Sequence, residues 1–227
     1  MSFEFFPIPR ILFGRGKFAD AAPLAKSLGR RALILHNGTA PADPLADHLA
    51  EQLRAAGVTA TLRRQKGEPT VSDVDTAVEH ARSDGVDILL GLGGGSAIDA
   101  AKAVAGLLTN GGSALDYMEV VGKGQKITKP AAPWIALPTT AGTGAEATRN
   151  AVIGVPEKQF KASLRSELLM ARVAIIDPEL GVDVPPTSPP APAWTRSASA
   201  SSPTRARTPA RSRTPSPSRA SPSAPDR

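Results

Sequence analysis

Several residue types that commonly mark function are scarce or missing in this chain. There is no cysteine, which excludes disulfide bonds and thiolate metal sites. The three histidines, His36, His48 and His80, fall at a predicted strand end and in two separate predicted helices, so no histidine metal cluster is expected. No apolar run approaches the roughly 18 residues of a membrane span, and MSFEFFPIPR lacks the features of a signal peptide. We expect a cytoplasmic protein that binds no membrane.

The segment 187–227 lacks every large aliphatic residue, and it also contains no phenylalanine or methionine. It holds ten serines, nine prolines and seven arginines against one acid, Asp226. This segment therefore carries the whole net charge of +6, and residues 1–186 are neutral. Because such a composition cannot bury enough apolar surface to offset chain entropy, we predict a folded domain over 1–186 and a disordered Arg/Ser/Pro-rich tail over 187–227.

Short apolar runs alternate with helical patterns through the neutral part of the chain. The predicted strands cover 11–14, 31–36, 58–62, 86–90, 133–137 and 172–176. The predicted helices cover 18–28, 43–56 and 72–82, the last with Ser72 as its N-cap. Regular alternation of buried strands and helices predicts an α/β fold, a parallel sheet wrapped by helices.

A glycine-rich turn, GLGGGSAIDAAKAVA at 91–105, follows the predicted strand 86–90 and leads into a helix. Glycines at a strand-to-helix turn let a phosphate approach the backbone N–H groups of the first helical turn. The residues expected to face a diphosphate are Gly93, Gly94, Gly95 and Ser96. We place Asp99 in the first turn, where a carboxylate suits the helix dipole. The spacing is not the G-x-G-x-x-G fingerprint, and a tight turn without a ligand is the alternative.

A second polar loop, PTTAGTGAE at 138–146, follows the predicted strand 133–137. Open α/β sheets bind ligands at the carboxyl ends of their strands. Thr139, Thr140 and Thr143 offer hydroxyl groups to a ribose or a phosphate, and we expect this loop and the glycine turn to converge on one crevice. The alternative is a polar loop without a ligand.

GGGSAIDAAKAVA, PTTAGTGAE, KASLR at 161–165 and DPEL at 177–180 together resemble the iron-containing (group III) alcohol dehydrogenases. That family shares a two-domain fold, with a Rossmann-related nucleotide-binding domain, with dehydroquinate synthase and glycerol dehydrogenase. The resemblance covers roughly residues 5–186 and implies an NAD(P)-binding domain. It implies that GGGS holds the pyrophosphate and that the threonine-rich loop flanks the cofactor. It also implies cofactor contacts for four further residues: Pro69 and Thr70 near the adenosine, Lys161 beside a ribose, and Leu180.

Asn37 departs from the pattern of the resembled family, which often has an acid at the end of the second strand. An acid there binds a ribose 2′-hydroxyl and repels a 2′-phosphate. Asn37 lacks that charge, so the cofactor is predicted to be NAD or NADP. The alternative is that Asn37 is only a turn residue in His36-Asn37-Gly38.

The resemblance also implies a second, helical domain that holds iron or zinc through an aspartate and usually three histidines, and the metal polarises the alcohol oxygen. This chain offers no such ligands, so no metal site is predicted. The codons from Ala191 to Ser197 permit T-G-M-D-A-L in a shifted frame, which the resemblance gives as the family sequence around the first metal ligand. We interpret the tail as an out-of-frame translation and the chain as a truncated, inactive cofactor-binding fragment.

The intact relative implied by the resemblance moves a hydride between an alcohol or aldehyde and NAD(P), and is often a homo-oligomer. A maleylacetate reductase or a glycerol dehydrogenase of the same fold is an alternative. If the tail is genuine, its spaced arginines instead indicate a nucleic-acid-binding protein, although its single aromatic residue, Trp194, offers little base stacking.

Overall fold

The computed structural model describes residues 8–38 and 43–181. The predicted tail at 187–227, its predicted disorder and the alternative of nucleic-acid binding through it lie outside the described residues. The described part contains a six-stranded sheet with strand order β1-β8-β5-β4-β2-β3, in which every pairing is parallel. The predicted α/β fold with a parallel sheet is therefore confirmed.

The element bounds follow the predicted order, with one added hairpin. The strands are β1 Ile11–Phe13, β2 Arg31–His36, β3 Thr59–Arg64, β4 Ile88–Gly93, β5 Trp134–Pro138, β6 Asn150–Val155, β7 Phe160–Arg165 and β8 Val173–Ile176. The helices are α1 Ala21–Leu28, α2 Pro44–Ala55, α3 Val71–Ser83, α4 Gly95–Asn110 and α5 Ala114–Tyr117. Single 3-10 turns lie at Lys17–Asp20, Ala145–Ala147, Pro156–Lys158, Glu167–Leu169 and Pro178–Gly181.

The central strands are apolar along their whole length because helices cover both faces of the sheet. Successive residues of β2 show this directly: Leu33 and Leu35 pack into the core layer beneath α3 and α4, whereas Ile34 packs into the layer beneath α1 and α2. This alternation follows from the two-residue period of a strand. The parallel strands all end at one edge of the sheet, which carries the loops described below.

The predicted N-cap of α3 is wrong. The cap is Thr70, whose hydroxyl accepts the Asp73 N–H at 3.2 Å, while the Asp73 carboxylate accepts the Thr70 N–H at 3.0 Å. This reciprocal capping box satisfies two helix-end donors, which a cap at Ser72 would not do here. The helix therefore begins at Val71, one residue earlier than predicted.

An antiparallel hairpin, β6–β7, was not predicted from the sequence. Its strands pair Asn150 with Arg165 and Val155 with Phe160, and it forms a separate two-stranded sheet. Ala151, Ile153 and Leu164 turn inward to the same core layer as α4. A bridge between Gly154 and Thr70, with the Gly154 N–H donating to the Pro69 carbonyl at 2.8 Å, ties the hairpin to the loop before α3.

Candidate cofactor site

The glycine turn is held by the side chain of Asn37. The Asn37 Oδ1 accepts the Gly94 N–H at 3.1 Å, and its Nδ2 lies 3.4 Å from the Ser96 hydroxyl. Gly93 has φ +143°, and a Cβ there would meet Asn37 Oδ1 at 1.9 Å. The turn therefore requires glycine at this position, both for its backbone conformation and for the close approach of Asn37.

The threonine loop, residues 138–146, closes over the same turn. The Thr139 N–H donates to the Gly93 carbonyl at 2.9 Å. A Cβ on Gly94 would lie 3.2 Å from Thr140 Oγ1, and one on Gly95 would lie 3.4 Å from the Thr143 side chain. The predicted convergence of the two loops is confirmed, and Asn37 joins them from the end of β2.

The amino end of α4 lies where the two loops meet. Gly94 is the N-cap and has no side-chain cap. Within the described residues, the N–H groups of Gly95 and Ser96 have no hydrogen-bond acceptor. Free N–H groups at a helix N-terminus, reached through glycines without side chains, suit a diphosphate. The geometry therefore fits the phosphate part of a dinucleotide.

A second group of predicted residues lies around the hairpin. Lys161 on β7 forms an ion pair with Glu68, and both side chains are more than half exposed. The Thr70 hydroxyl is occupied by the α3 cap, because it accepts the Asp73 N–H and donates to the Asp73 carboxylate at 2.8 Å. The structure thus brings Pro69, Thr70 and Lys161 together through the bridge at Gly154. Their predicted contacts with a cofactor stay predictions.

Asp99 does not lie in the first turn of α4, so that placement is wrong. The helix begins at Gly95, and Asp99 lies in the second turn, where its carboxylate accepts the Val152 N–H of β6 at 3.1 Å. Burial raises the pKa of Asp99, against the opposing charge of Lys102. Asp99 therefore connects α4 to the hairpin, and its predicted contact with a cofactor stays a prediction.

Lys102 is a polar residue of this region that the sequence analysis missed. Its side chain has no exposed surface. Its Nζ donates to the Ala145 carbonyl at 2.8 Å, to the Asn150 carbonyl at 2.7 Å and to the Thr148 hydroxyl at 3.1 Å. Burial lowers the pKa of Lys102 to about 8, although the charges of Asp99 and Glu146 oppose that shift. The only signal in the sequence is a lysine within an otherwise small and apolar helix face.

The remaining predictions concern the edge of the sheet and the metal. Leu180 lies just beyond β8, where the next residue, Gly181, approaches the Thr139 carbonyl. Among residues 8–38 and 43–181, no group of His, Asp or Glu side chains is arranged to hold a metal ion. The described residues therefore do not fit the metal that the resembled family carries. No helix in the same ranges is both long and apolar enough to cross a membrane.

The sequence pattern of iron-containing alcohol dehydrogenases matches residues 8–178, which include the glycine turn, the threonine loop and the hairpin. The chain belongs to this family. The match confirms the resemblance inferred from the four sequence motifs, and it covers every predicted site residue except Leu180.

Individual members of the family act on different compounds. The chain is 34% identical over 184 residues to the NAD-dependent methanol dehydrogenase of Bacillus methanolicus, covering 80% of this chain and 47% of that protein. It is 35% identical over 187 residues to the choline dehydrogenase of Bacillus subtilis, covering 81% and 46%. Among solved structures, the sulfoacetaldehyde reductase of Bifidobacterium kashiwanohense in complex with NAD+ superposes with a TM-score of 0.72 at 31% identity, covering 82% and 49%. The chain thus spans about half the length of these relatives.

Proposed function

We propose that the described domain binds NAD(P) with its diphosphate at the glycine turn. The observation that carries this proposal is the convergence of Asn37, the glycine turn and the threonine loop on the free N–H groups of Gly95 and Ser96. The family membership supports it, since relatives include an NAD-dependent dehydrogenase and a reductase bound to NAD+.

The side chains around the turn have distinct parts in this proposal. Gly93 and Gly94 let Asn37 and Thr140 approach the turn closely, and Asn37 holds the turn in the shape that binds the phosphates. The side chains of Thr140 and Thr143 lie beside Gly94 and Gly95, and in this proposal their hydroxyls bind phosphate or ribose oxygens. Lys161 supplies a positive charge at the hairpin, where Glu68 orients it. The nicotinamide, when bound, supplies hydride transfer to or from an alcohol or aldehyde.

We further propose that the domain accepts both NAD and NADP. Position 37 carries an amide, which is occupied with Gly94 and Ser96, and the nearby Asp43 carboxylate is paired with His36 Nδ1 at 2.7 Å. Arg64, which lies beside His36 on the neighbouring strand β3, is exposed at the same sheet edge. A guanidinium at this edge attracts the 2′-phosphate of NADP, whereas an acid would repel it.

We propose that this 227-residue chain is a truncated family member without dehydrogenase turnover. Codons for residues 191–197 permit T-G-M-D-A-L in a shifted frame, and no metal-binding group is present among the described residues; both observations support this proposal. Purified chain assayed with NAD, added Fe²⁺ or Zn²⁺ and short-chain alcohols is expected to form no NADH. Alcohol-dependent NADH formation by this chain would refute the truncation proposal.

The test of cofactor binding is a titration of the full chain with NADH, followed by the change in NADH fluorescence. Gly94→Asp places a carboxylate against the phosphates and a Cβ near Thr140, and we expect it to weaken NADH binding by at least about 100-fold. Gly124→Asp makes the same change in an open loop position where a Cβ meets nothing within 4 Å. We expect this control to bind NADH normally. Equal NADH affinity in both variants would overturn the proposed site.

A further inference from the structure

We propose that Lys102 is a positioning residue that fixes the threonine loop and the first strand of the hairpin against α4. Lys102 lies two turns into the helix whose amino end faces the crevice. Its hydrogen bonds go to Ala145, Thr148 and Asn150 and not to the glycine turn or to Asn37, so it acts through the segments it holds. Its effect on cofactor binding rests on the proposed function, whereas its effect on the loop does not.

Three acceptors on two segments converge on one ammonium group. The carbonyl of Ala145 ends the threonine loop, and the carbonyl of Asn150 begins β6, with the Thr148 hydroxyl between them. An ammonium group has three N–H donors, and these acceptors use all of them. The chain from 145 to 150 therefore turns around the Lys102 head group, and this turn sets where the threonine loop leaves the sheet and where the hairpin begins.

The surroundings of Lys102 make this contact costly for stability, which favours a role in geometry. The side chain is fully buried, its ion-pair partner Asp99 is 3.8 Å away, and the indole of Trp134 lies 6.0 Å from Nζ. Asp99 on α4 and Glu146 in the threonine loop are the ionisable groups that face it among the described residues. A buried charge of this kind adds little net stability, since desolvation offsets the attraction.

Glu146 in the threonine loop also depends on the charge of Lys102. Its Oε2 atom is buried and has no hydrogen-bond partner among the described residues. The positive charge of Lys102 compensates this carboxylate, as it does Asp99. With no N–H donor at position 102, as in Lys102→Met, the Ala145 and Asn150 carbonyls keep only the Thr148 hydroxyl as a donor, at 3.2 and 3.5 Å, and we expect the loop to open toward water.

Opening of the loop exposes Lys102 and lets its pKa return toward about 10.4. Because the closed form binds the proton less tightly, opening takes up a proton at pH values between the two pKa values. Rising pH therefore favours the closed loop.

The experiment is amide hydrogen exchange on the full chain, with protection factors compared for residues 145–155 and for β2. In the wild type, we expect protection of 145–155 to rise on the order of tenfold between about pH 7 and about pH 9, while that of β2 changes less. In Lys102→Met, we expect protection of 145–155 to fall on the order of tenfold at about pH 7 and to lose this rise. The matched control is Lys26→Met on the exposed surface of α1, which we expect to behave as the wild type.

NADH affinity is measured on the same proteins. We expect Lys102→Met to weaken NADH binding on the order of tenfold and Lys26→Met to leave it unchanged. If the wild type binds no NADH but its loop responds to pH and to Lys102→Met as expected, only the proposed function fails. The positioning role is overturned if Lys102→Met leaves the loop protection unchanged, or lowers it equally in β2. If Lys102→Met does not fold, Thr148→Val, which removes one of the three acceptors of Lys102, is measured in its place, and unchanged protection of 145–155 in that variant overturns the role.

Discussion

Two polar side chains hold the candidate site from opposite sides, and they differ in almost every physical respect. Asn37 is exposed, neutral and at the end of a strand, and it holds the glycine turn through two hydrogen bonds of its amide. Lys102 is fully buried and charged, and it holds the threonine loop and β6 through three. The hydrogen bonds of the exposed Asn37 contribute little to the free energy of unfolding. Those of the buried Lys102 have consequences for pH dependence and for a whole segment of chain.

The largest effect is expected from a side chain at Gly93, which would fill the space that the Asn37 side chain occupies. Gly93→Val puts a Cβ on a residue with φ +143° and within 1.9 Å of Asn37 Oδ1. We expect NADH binding to be lost and the free energy of unfolding to fall by about 2 to 3 kcal/mol. Titration with NADH and urea unfolding measure the two effects. Gly57→Val is a useful comparison, because its φ is also positive but a Cβ there meets nothing. Similar NADH affinities in both variants would contradict the argument from space.

The second effect is the pH dependence of the free energy of unfolding that the buried Lys102 causes. Lys102 has a pKa of about 8 in the folded chain against an ordinary value of 10.5. Below about pH 8 both states are protonated and the burial penalty is present in full. Between these values the unfolded state binds more protons, so the free energy of unfolding rises with pH, by an amount on the order of 3 kcal/mol in total.

Urea unfolding of the wild type and of Lys102→Met at several pH values between about 7 and 10 measures this contribution as the difference between their slopes. All other ionisable groups are common to both proteins, so that difference isolates Lys102. A wild-type slope equal to the slope of Lys102→Met would show that Lys102 is not buried as a charge in the folded chain.

The third effect tests the exposed side. Asn37→Ala removes the acceptor of the Gly94 N–H, and we expect NADH to bind about 5-fold more weakly, with a loss of stability below about 1 kcal/mol. Asn37→Asp keeps an acceptor at the same place and adds a charge, so we expect NADH affinity to hold while NADPH affinity falls. Titrations with both cofactors measure the ratio. An unchanged preference in Asn37→Asp would place the 2′-position of the ribose away from β2.

The same contrast explains what could be predicted from the sequence. The strands β2, β4 and β5 and the convergence of the two loops follow from local signals: apolar runs, glycines and hydroxyls at strand ends. The hairpin β6–β7 gave no such signal, because β6 packs on α4 and on the loop before α3, both far away in sequence. Lys102 was missed for the same reason. A lysine in a helix is ordinarily at the surface, and only the hairpin and the threonine loop bury it.

The smallest expected effect concerns the N-cap of α3, which was predicted at Ser72 but lies at Thr70. Thr70 and Ser72 both have side chains suited to an N-cap, and the cap is Thr70 rather than the predicted Ser72. The T-x-x-D spacing to Asp73 resembles a capping box and was the available signal. We expect Thr70→Ala to lower the free energy of unfolding by about 1 kcal/mol, because the Asp73 N–H loses its acceptor. Ser72→Ala, at the second residue of the helix, should change it by no more than about 0.3 kcal/mol. Urea unfolding of the two variants measures the difference, and a larger loss in Ser72→Ala would restore the cap predicted from the sequence.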